Sequence, residues 1–356
     1  MSLRIAQTGL VAVALAAAWL PVSPASVEKW YSNGWYPAVQ RLVTPVSNLV
    51  PFAFFDVIVI AVVVFVIAAL WRGVVESRRR RRLSPLFRAG ATLCAGAAAL
   101  YLAFLVLWGF NYRRVPMHDR LIIEGGPPDR AAVETLLVET IGQANRLYAA
   151  AHQKGWSGDE WRDPQLQRAF EATQATLGDA PPARPGRLKQ TIFGPYFRWT
   201  GVDGMVDPLA LEVLANPDLL PFERPFVAAH EWAHLAGYAD EAEANFVGWL
   251  ACVRGEAPAQ YSGWLFLYWE LASEVSTADW ARVSPALDAG PQKDIQAIVD
   301  RVRRGRFPLL RRVSWRVYDQ YLRANGVEEG IRSYGEVVNL ILRARFDDGW
   351  VPVRRR

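Results

Sequence analysis

Residues 221–245 read PFERPFVAAHEWAHLAGYADEAEAN, with His230, Glu231 and His234 at the centre. In an α-helix, residues four apart share a face, so both imidazoles can reach one metal ion. Glu231 follows the first histidine and projects toward the remaining coordination position, where it can take a proton from a metal-bound water. The stretch therefore predicts a helix that carries two Zn2+ ligands, His230 and His234, and a general base, Glu231.

The residues around this motif favour a helix that is not a solvated surface helix. Pro225 suits the first helical turn, and residues 226–229 and 232–233 are apolar. Gly237 permits a sharp turn after the second histidine. The chain has two other histidines, His118 and His152. Neither has the spacing of a metal ligand, so we expect structural roles for both.

A third ligand is expected, because a catalytic zinc ion usually has three from the protein. Three carboxylates follow the motif closely: Asp240, Glu241 and Glu243. If a second helix starts at Asp240, Glu241 shares a face with Asn245. Glu243 then points well away from Glu241. Asp240 also has the features of an N-cap, which would occupy its carboxylate. The residues by themselves leave all three as candidates.

The first 110 residues hold three apolar stretches, at about 5–22, 52–71 and 89–110. The second and third are about 20 residues long, enough to cross the hydrocarbon core of a bilayer. The first has the composition of either a signal peptide or a helix, and we interpret it as an uncleaved helix. These stretches predict a three-helix membrane region over residues 1–110, followed by a separate domain over 111–356.

Charge predicts the orientation of these helices. Five arginines, Arg78 to Arg82, lie between the second and third stretches, whereas the segment from Ser23 to Pro51 holds few charges. Basic residues favour the cytoplasmic side. The bias outweighs the pair Arg113 and Arg114 after the third stretch. We therefore expect a multi-pass protein of the bacterial inner membrane whose C-terminal domain is periplasmic or otherwise extracytoplasmic.

After residue 110 the pattern is mostly helical, with little strand. Asp129 is a plausible N-cap for a helix over 128–150, and the Pro/Gly-rich residues 178–187 predict a loop. Leu209–Leu214 predicts a short strand or a helical turn. Glu212 is expected to be a surface charge. Further helices are predicted at about 223–236, 240–254, 259–275, 292–304, 308–325 and 333–345.

Several aromatic residues are assigned by position. The segment with Trp30, Tyr31, Trp35 and Tyr36 resembles an interfacial belt in its composition. Those after the motif are expected to pack around its helices: Trp249, Trp264, Phe266, Tyr268 and Trp269. Tyr238 is a candidate for oxyanion stabilisation. Tyr318, Tyr321 and Tyr334 are candidates to reach the site.

The remaining composition excludes other classes of protein. The net charge of +5 comes largely from arginines near the apolar stretches and at the C-terminus, and no basic-aromatic motif accompanies it, so no nucleic-acid partner is expected. Of two cysteines, Cys94 lies in an apolar stretch and Cys252 in the C-terminal part. A disulfide between them is not expected, and no CxxC motif supports a zinc finger.

The combination of HEWAH with EAEAN resembles the gluzincin peptidases, whose third zinc ligand is a glutamate in an ExxAD-type segment. Glu241 matches that glutamate, and Asn245 stands where the aspartate would be. The spacer between His234 and Glu241 is shorter than in most gluzincins. The resemblance implies Glu241 as the third Zn2+ ligand and Asn245 as a hydrogen-bond partner of a ligand histidine. It also implies that residues 201–214 lay an extended segment along the substrate cleft.

Three segments resemble an uncharacterised family of bacterial membrane proteins, the domain of unknown function 3810. They are GVDGMVDP (201–208), PFERPFVAAHEWAHLAGYADEAEANFVGWLAC (221–252) and YDQYLRANGVEEGIRSYGEVVNLIL (318–342). The resemblance implies membrane helices joined to a metallopeptidase-like domain. We therefore expect a mainly α protein with a zincin-like domain. The expected function is a membrane-anchored zinc-dependent hydrolase, a peptidase, whose partners are the lipid bilayer and a peptide substrate. The alternative is a non-catalytic metal-binding sensor or envelope scaffold.

Overall fold

The computed structural model describes residues 2–158, 160–305, 307–324 and 336–355, and these are mainly helical. The helices are α1 (Ser2–Trp19), α2 (Pro24–Ser26), α3 (Tyr36–Asn48), α4 (Phe54–Arg80), α5 (Ser84–Leu107), α6 (Met117–Arg120), α7 (Arg130–Lys154), α8 (Pro164–Leu177), α9 (Gly194–Thr200), α10 (Arg224–Leu235), α11 (Glu241–Val253), α12 (Ala257–Glu274), α13 (Thr277–Val283), α14 (Ala289–Gly305), α15 (Pro308–Ala324) and α16 (Glu336–Arg343). The strands are β1 (Leu188–Lys189), β2 (Gly204–Asp207), β3 (Glu212–Ala215), β4 (Phe346–Asp347) and β5 (Val351–Pro352).

Two helices, α4 and α5, are long and apolar enough to cross a membrane, which confirms the second and third predicted stretches as candidate spans. They pack as a hairpin, and α1 packs against α5. Helix α4 continues beyond the apolar run to Arg80, because the arginines and Glu76 are good helix formers. The first stretch qualifies only as one arm of a bent pair, Ile5–Trp19 with Pro24–Asn48, and the chain bends by 110° between the two arms.

The segment between the first two apolar stretches is helical rather than a loop. It comprises α2, a π-helical segment Val27–Trp35, and α3. Trp30 and Trp35 are exposed, but Tyr36 is buried, and its hydroxyl donates to the carbonyl of Leu235 at 2.7 Å. Helix α3 also contacts the later part of the chain through Thr44, whose hydroxyl donates to the carbonyl of Leu211 at 2.7 Å. The segment therefore joins the apolar region to the rest of the chain.

Helix α10, which carries the HEWAH motif, lies at the centre of the helical core. Ten of its twelve residues are buried, as expected for a helix that is apolar around most of its circumference. It packs against α11 and α12, and α12 packs against α7. Trp232 is fully buried, and its indole N–H donates to the carbonyl of Gly186 at 2.8 Å. Packing around most of the helix holds the motif in one orientation.

A three-stranded sheet lies next to α10, in the order β1-β3-β2. Strand β1 runs parallel to β3, and β2 runs antiparallel to it, with Gly204 opposite Ala215 and Asp207 opposite Glu212. The region predicted as a short strand or turn therefore contains β3, starting at Glu212. Among the described residues, β2 pairs with a strand on one side only and is therefore an edge strand of the sheet.

The prediction that Glu212 is a surface charge is wrong. Its side chain is fully buried and pairs with the equally buried Lys189 at 2.7 Å. The same carboxylate accepts a hydrogen bond at 2.7 Å from the backbone N–H of Phe55, in the first turn of α4, and another at 3.1 Å from the hydroxyl of Ser47. The positive N-terminus of α4 favours the charge. Glu212 thus joins the sheet to a candidate membrane helix.

The helices predicted after residue 110 agree closely with the structure. Asp129 caps α7 by accepting from the N–H of Ala132 at 2.8 Å. The helices predicted at 292–304 and 308–325 are α14 and α15. The last predicted helix corresponds to α16, which starts at Glu336. Its predicted first residues, 333–335, lie outside the described residues, as does Tyr334.

Candidate metal centre

His230, His234 and Glu241 come together where α10 and α11 meet. The histidine rings have centroids 4.7 Å apart. The Oε2 atom of Glu241 lies 3.5 Å from Nε2 of His230 and 3.5 Å from Nε2 of His234. In the described parts of the chain, this is the one group of three His, Cys, Asp or Glu side chains whose ligand atoms all lie within 4.8 Å of one another.

A tight turn between the two helices creates this arrangement. Gly237 has φ of +84°, a left-handed conformation that glycine adopts without strain, as the sequence predicted. The turn brings the carbonyl of Tyr238 to 2.7 Å from Nδ1 of His234. Because a carbonyl only accepts, Nδ1 donates a proton to it, and Nε2 is the ring nitrogen that faces Glu241.

The two alternative carboxylates lie elsewhere. Asp240 is the N-cap of α11, and its Oδ1 accepts from the N–H of Glu243 at 3.0 Å. Glu243 accepts at 2.5 Å from the N–H of Met117 and lies 3.7 Å from Nη2 of Arg120. Both line a separate cavity of about 530 Å³, whose lining includes neither His230 nor His234. Of the three carboxylates, only that of Glu241 faces the histidines.

Charges in the cluster favour an anionic glutamate. Although burial by itself would raise the pKa of Glu241, attraction and hydrogen bonding to His234 lower it to about 2. Burial also opposes protonation of His234, but the charge of Glu241 raises the pKa of this histidine to about 9. Burial lowers the pKa of His230 to about 4, with a further contribution from His234. The buried anion therefore already attracts positive charge to this position.

Glu231 lies beside the cluster without belonging to it. Its Oε1 is 4.0 Å from Nε2 of His230, and no residue that the structure describes forms a hydrogen bond with its buried Oε2. Burial raises the pKa of Glu231 to about 8. Strand β2 passes so close that a Cβ added to Gly204 would lie 2.3 Å from Oε1 of Glu231. Only a residue without a side chain leaves room for this carboxylate.

Asn245 is next to His230, as its place on the face of Glu241 predicts. Burial lowers the pKa of His230, and the nearby side chain of Asn245 opposes part of that lowering. No described residue forms a hydrogen bond of ordinary geometry with Nδ1 of His230. Tyr238 does not approach the cluster with its side chain. Arg114 and Arg120 lie over its ring, at 4.9 Å and 5.5 Å from the centroid. Its contribution to the site is its backbone carbonyl.

Two cavities meet at the cluster. One, of about 350 Å³, is lined by His230, Phe266 and Trp269 among others. The other, of about 440 Å³, is lined by both histidines, Glu241 and mostly aromatic and aliphatic side chains. Gly204 and Glu231 border both cavities. A chain that lies along β2 would therefore pass the cluster and have space on either side of it.

The donor set and its spacing fit a zinc ion. Two imidazoles and one carboxylate form a common ligand set of catalytic zinc sites. Bonds of about 2.0–2.1 Å in a tetrahedral site separate the ligand atoms by about 3.3 Å. The two separations of 3.5 Å between Glu241 and the histidines are close to this value.

Three aromatic residues that support the site come from distant parts of the chain. The hydroxyl of Tyr318 in α15 donates to Oε1 of Glu241 at 2.5 Å. The indole of Trp108, which follows α5, donates to the carbonyl of His234 at 2.9 Å. The hydroxyl of Tyr36 donates to the next carbonyl of the same helix, that of Leu235. Sequence reasoning named Tyr318 among three candidates, but it missed Trp108 and the role of Tyr36. No local pattern marks a residue that binds a helix end across the fold.

The other aromatic residues and histidines that the sequence analysis named lie outside the metal cluster. Trp249 and Trp264 are buried in the core, whereas Phe266 stacks on Phe226 with centroids 3.6 Å apart and lines a cavity at the site. His152 lies 2.8 Å from Asp294, and the side chain of His118 is 64% exposed, both away from the cluster. The side chain of Tyr321 lies outside the described part of the chain.

Replacing Tyr318 by phenylalanine should weaken metal binding by about 10- to 100-fold, because Glu241 loses the hydrogen bond that orients its carboxylate. Competition against a fluorescent zinc chelator measures the affinity. Tyr261→Phe is the matched control, since its hydroxyl donates to a different carboxylate, Asp294, at 2.7 Å. Equal affinities of the Tyr318 and Tyr261 variants would contradict the orienting role.

The fold and the site define a mainly helical protein with candidate membrane spans and, within the described ranges, one His/Glu cluster centred on HExxH. The chain belongs to a family described as "Protein of unknown function (DUF3810)", whose model matches residues 31–342. No curated protein matches the chain, and neither does any solved structure. These comparisons do not support the resemblance to gluzincins, which rests on the sequence motif alone.

Proposed function

We propose that the protein is a membrane-anchored, zinc-dependent hydrolase that cleaves peptide bonds. The observation that carries this proposal is the convergence of His230, His234 and Glu241 beside the unpartnered Oε2 of Glu231. A buried polar atom without a partner is costly. Here it borders the cavities where a substrate and a water molecule would lie.

Each residue has a distinct role in this proposal. A zinc ion held by the three side chains would lower the pKa of a coordinated water to about 7. Glu231 accepts the proton of the attacking water and passes it to the leaving amine. Tyr318 orients Glu241, and the carbonyl of Tyr238 keeps Nε2 of His234 free to bind the metal. The domain would then be gluzincin-like in its chemistry.

A peptide is the substrate class that the edge of the sheet favours. An extended peptide can add to an unpaired strand edge through its backbone, which holds it without regard to side-chain sequence. Strand β2 has such an edge, and its first residue contacts the general base. The cavities on both sides of the cluster would accept residues on both sides of the cleaved bond.

The proposed location follows from charge. The arginines at the end of α4 and after it, Arg78 to Arg82, would lie in the cytoplasm of a bacterial cell. The opposite end of the α4–α5 hairpin, near Phe54 and Trp108, adjoins the metal cluster through Trp108. The domain would therefore be periplasmic or extracytoplasmic.

Metal content tests the metal-binding part of the proposal. The full chain, purified in detergent without chelators, should contain about one zinc ion per chain by elemental analysis. His234→Ala should lose it, because a site with two ligands binds far more weakly. His118→Ala is the matched control, since its exposed ring lies outside the cluster. A wild-type protein free of transition metal would contradict the proposal.

A further inference from the structure

We propose that α9 and α15 form a second membrane-contacting surface, which rests in the headgroup region of the bilayer crossed by α4 and α5. We call it the interfacial face: Ile192, Tyr196, Trp199, Leu309, Val313 and Val317. The apolar cavity at the metal cluster opens beside this face to polypeptides that are embedded in or attached to the membrane. This substrate class rests on the proposed hydrolase function, whereas the interfacial face does not.

Helix α15 has the distribution of residues that interfacial helices show. Leu309, Val313 and Val317 are four residues apart and so share one side, and they are 63%, 46% and 59% exposed. Arg312 and Arg316 are exposed beside this stripe. An amphipathic helix with an apolar side flanked by basic residues lies in the plane of a membrane surface. Its other side, including Tyr318, faces the domain.

Helix α9 and Ile192, two residues before it, extend the apolar stripe. Ile192, Tyr196 and Trp199 are 62%, 39% and 48% exposed. The two helices form one unit, because the hydroxyls of Tyr196 and Ser314 share a hydrogen bond and the indole of Trp315 donates to the carbonyl of Thr200 at 3.3 Å. Single exposed apolar residues are common on protein surfaces, whereas six large apolar or aromatic side chains on and next to these two helices indicate an interaction surface.

The start of α4 gives this surface its place at the bilayer boundary. Asp56, in the first turn of α4, accepts hydrogen bonds from the hydroxyl of Thr191 and, at 3.0 Å, from the N–H of Ile192. The rings of Phe55 and Phe193 have centroids 5.7 Å apart. The interfacial face therefore begins where a candidate span begins. Tryptophan and tyrosine favour this depth of a bilayer.

The apolar cavity of about 440 Å³ connects that boundary with the metal cluster. Its walls include Trp108 and Tyr112 just beyond the end of α5, Tyr196 and Val317 of the interfacial face, and Met205 of the edge strand. An apolar segment could pass from the bilayer to β2 along this wall with little exposure to water. A chain held in the membrane therefore suits this entrance better than a freely soluble peptide.

Spin labels on the full chain in lipid nanodiscs test the interfacial face without any activity. Single cysteines at Leu309 and Val313, in a Cys94→Ala background, should collide more with oxygen than with a water-soluble nickel chelate, because oxygen partitions into lipid. Cys252 is fully buried, which shields its thiol from the label. A label at Val138, an exposed valine of α7, is the matched control and should show the reverse. Preference for nickel at position 313 would overturn the proposal, and so would protection from both reagents, which indicates a protein contact.

Cleavage in the same nanodiscs tests the substrate class. A random peptide library is supplied in two forms, with and without a palmitoyl group, and mass spectrometry measures cleavage. Val313→Asp should lower the cleavage of the acylated library roughly tenfold and leave the soluble library unchanged, because the charge lifts the entrance from the lipid. Equal cleavage of both libraries, unaffected by Val313→Asp, would overturn the substrate class. Cleavage of neither library would contradict the hydrolase proposal, and the spin-label result would still decide the interfacial face.

Discussion

Glu231→Gln should lower peptide hydrolysis by about 10²- to 10⁴-fold while the protein keeps its zinc. Glutamine has the shape of glutamate but cannot accept the proton of the attacking water. The side chain lies beside the three ligand atoms rather than among them, so its replacement leaves the ligand set intact. The measurement combines kcat on a cleaved library peptide with elemental analysis of the same preparation.

The control for this variant is Glu274→Gln, which removes an exposed carboxylate at the end of α12. It should retain wild-type kcat and metal content. If Glu231→Gln is as active as the wild type, Glu231 is not the base. If the wild-type protein binds zinc but cleaves none of the library peptides, the alternative of a non-catalytic metal-binding sensor or scaffold is favoured.

Glu212→Ala should lower the free energy of unfolding by about 3–5 kcal/mol, the usual cost of leaving one partner of a buried ion pair uncompensated. Lys189 would keep its charge with its side chain completely buried. The N–H of Phe55 would lose its acceptor as well. Chemical unfolding of the full chain in detergent, followed by tryptophan fluorescence, measures the change.

The double variant Lys189→Met with Glu212→Leu separates the ion pair from the volume that it fills. Apolar residues of similar size often replace a buried pair with little loss, so this variant should recover most of the stability. If Glu212→Ala lowered the free energy of unfolding by less than about 1 kcal/mol, the average effect of a point mutation, the prediction for the ion pair would be wrong. Because β3 carries Glu212 and pairs with β2, Glu212→Ala should also loosen β2, the strand next to Glu231.

The sequence predicted the helical elements well because their patterns are local. Asp129 bonds a backbone N–H three residues away, and Gly237 adopts the left-handed turn that ends the motif helix. The apolar runs that became α4 and α5 are visible as composition alone. Each of these features depends on residues within one or two helical turns, so a linear pattern contains the information.

The segment from Pro24 to Asn48 and the environment of Glu212 were not predicted, because their partners are far away along the chain. Thr44 bonds the carbonyl of Leu211, and Glu212 bonds the N–H of Phe55. A glutamate near a strand is exposed in most proteins. It is buried here because a lysine, a serine and a helix N-terminus all supply donors to it.

The HEWAH motif by itself determined that two histidines share a helix face with a glutamate next to them, because four residues make about one helical turn. The tertiary structure decided which of the three carboxylates faces the histidines. Asp240 caps a helix and Glu243 binds the N–H of Met117, which leaves Glu241 to face the histidines. Tyr318 reaches that carboxylate from 77 residues away. Such contacts depend on how helices pack against one another, and no spacing within a single segment contains them.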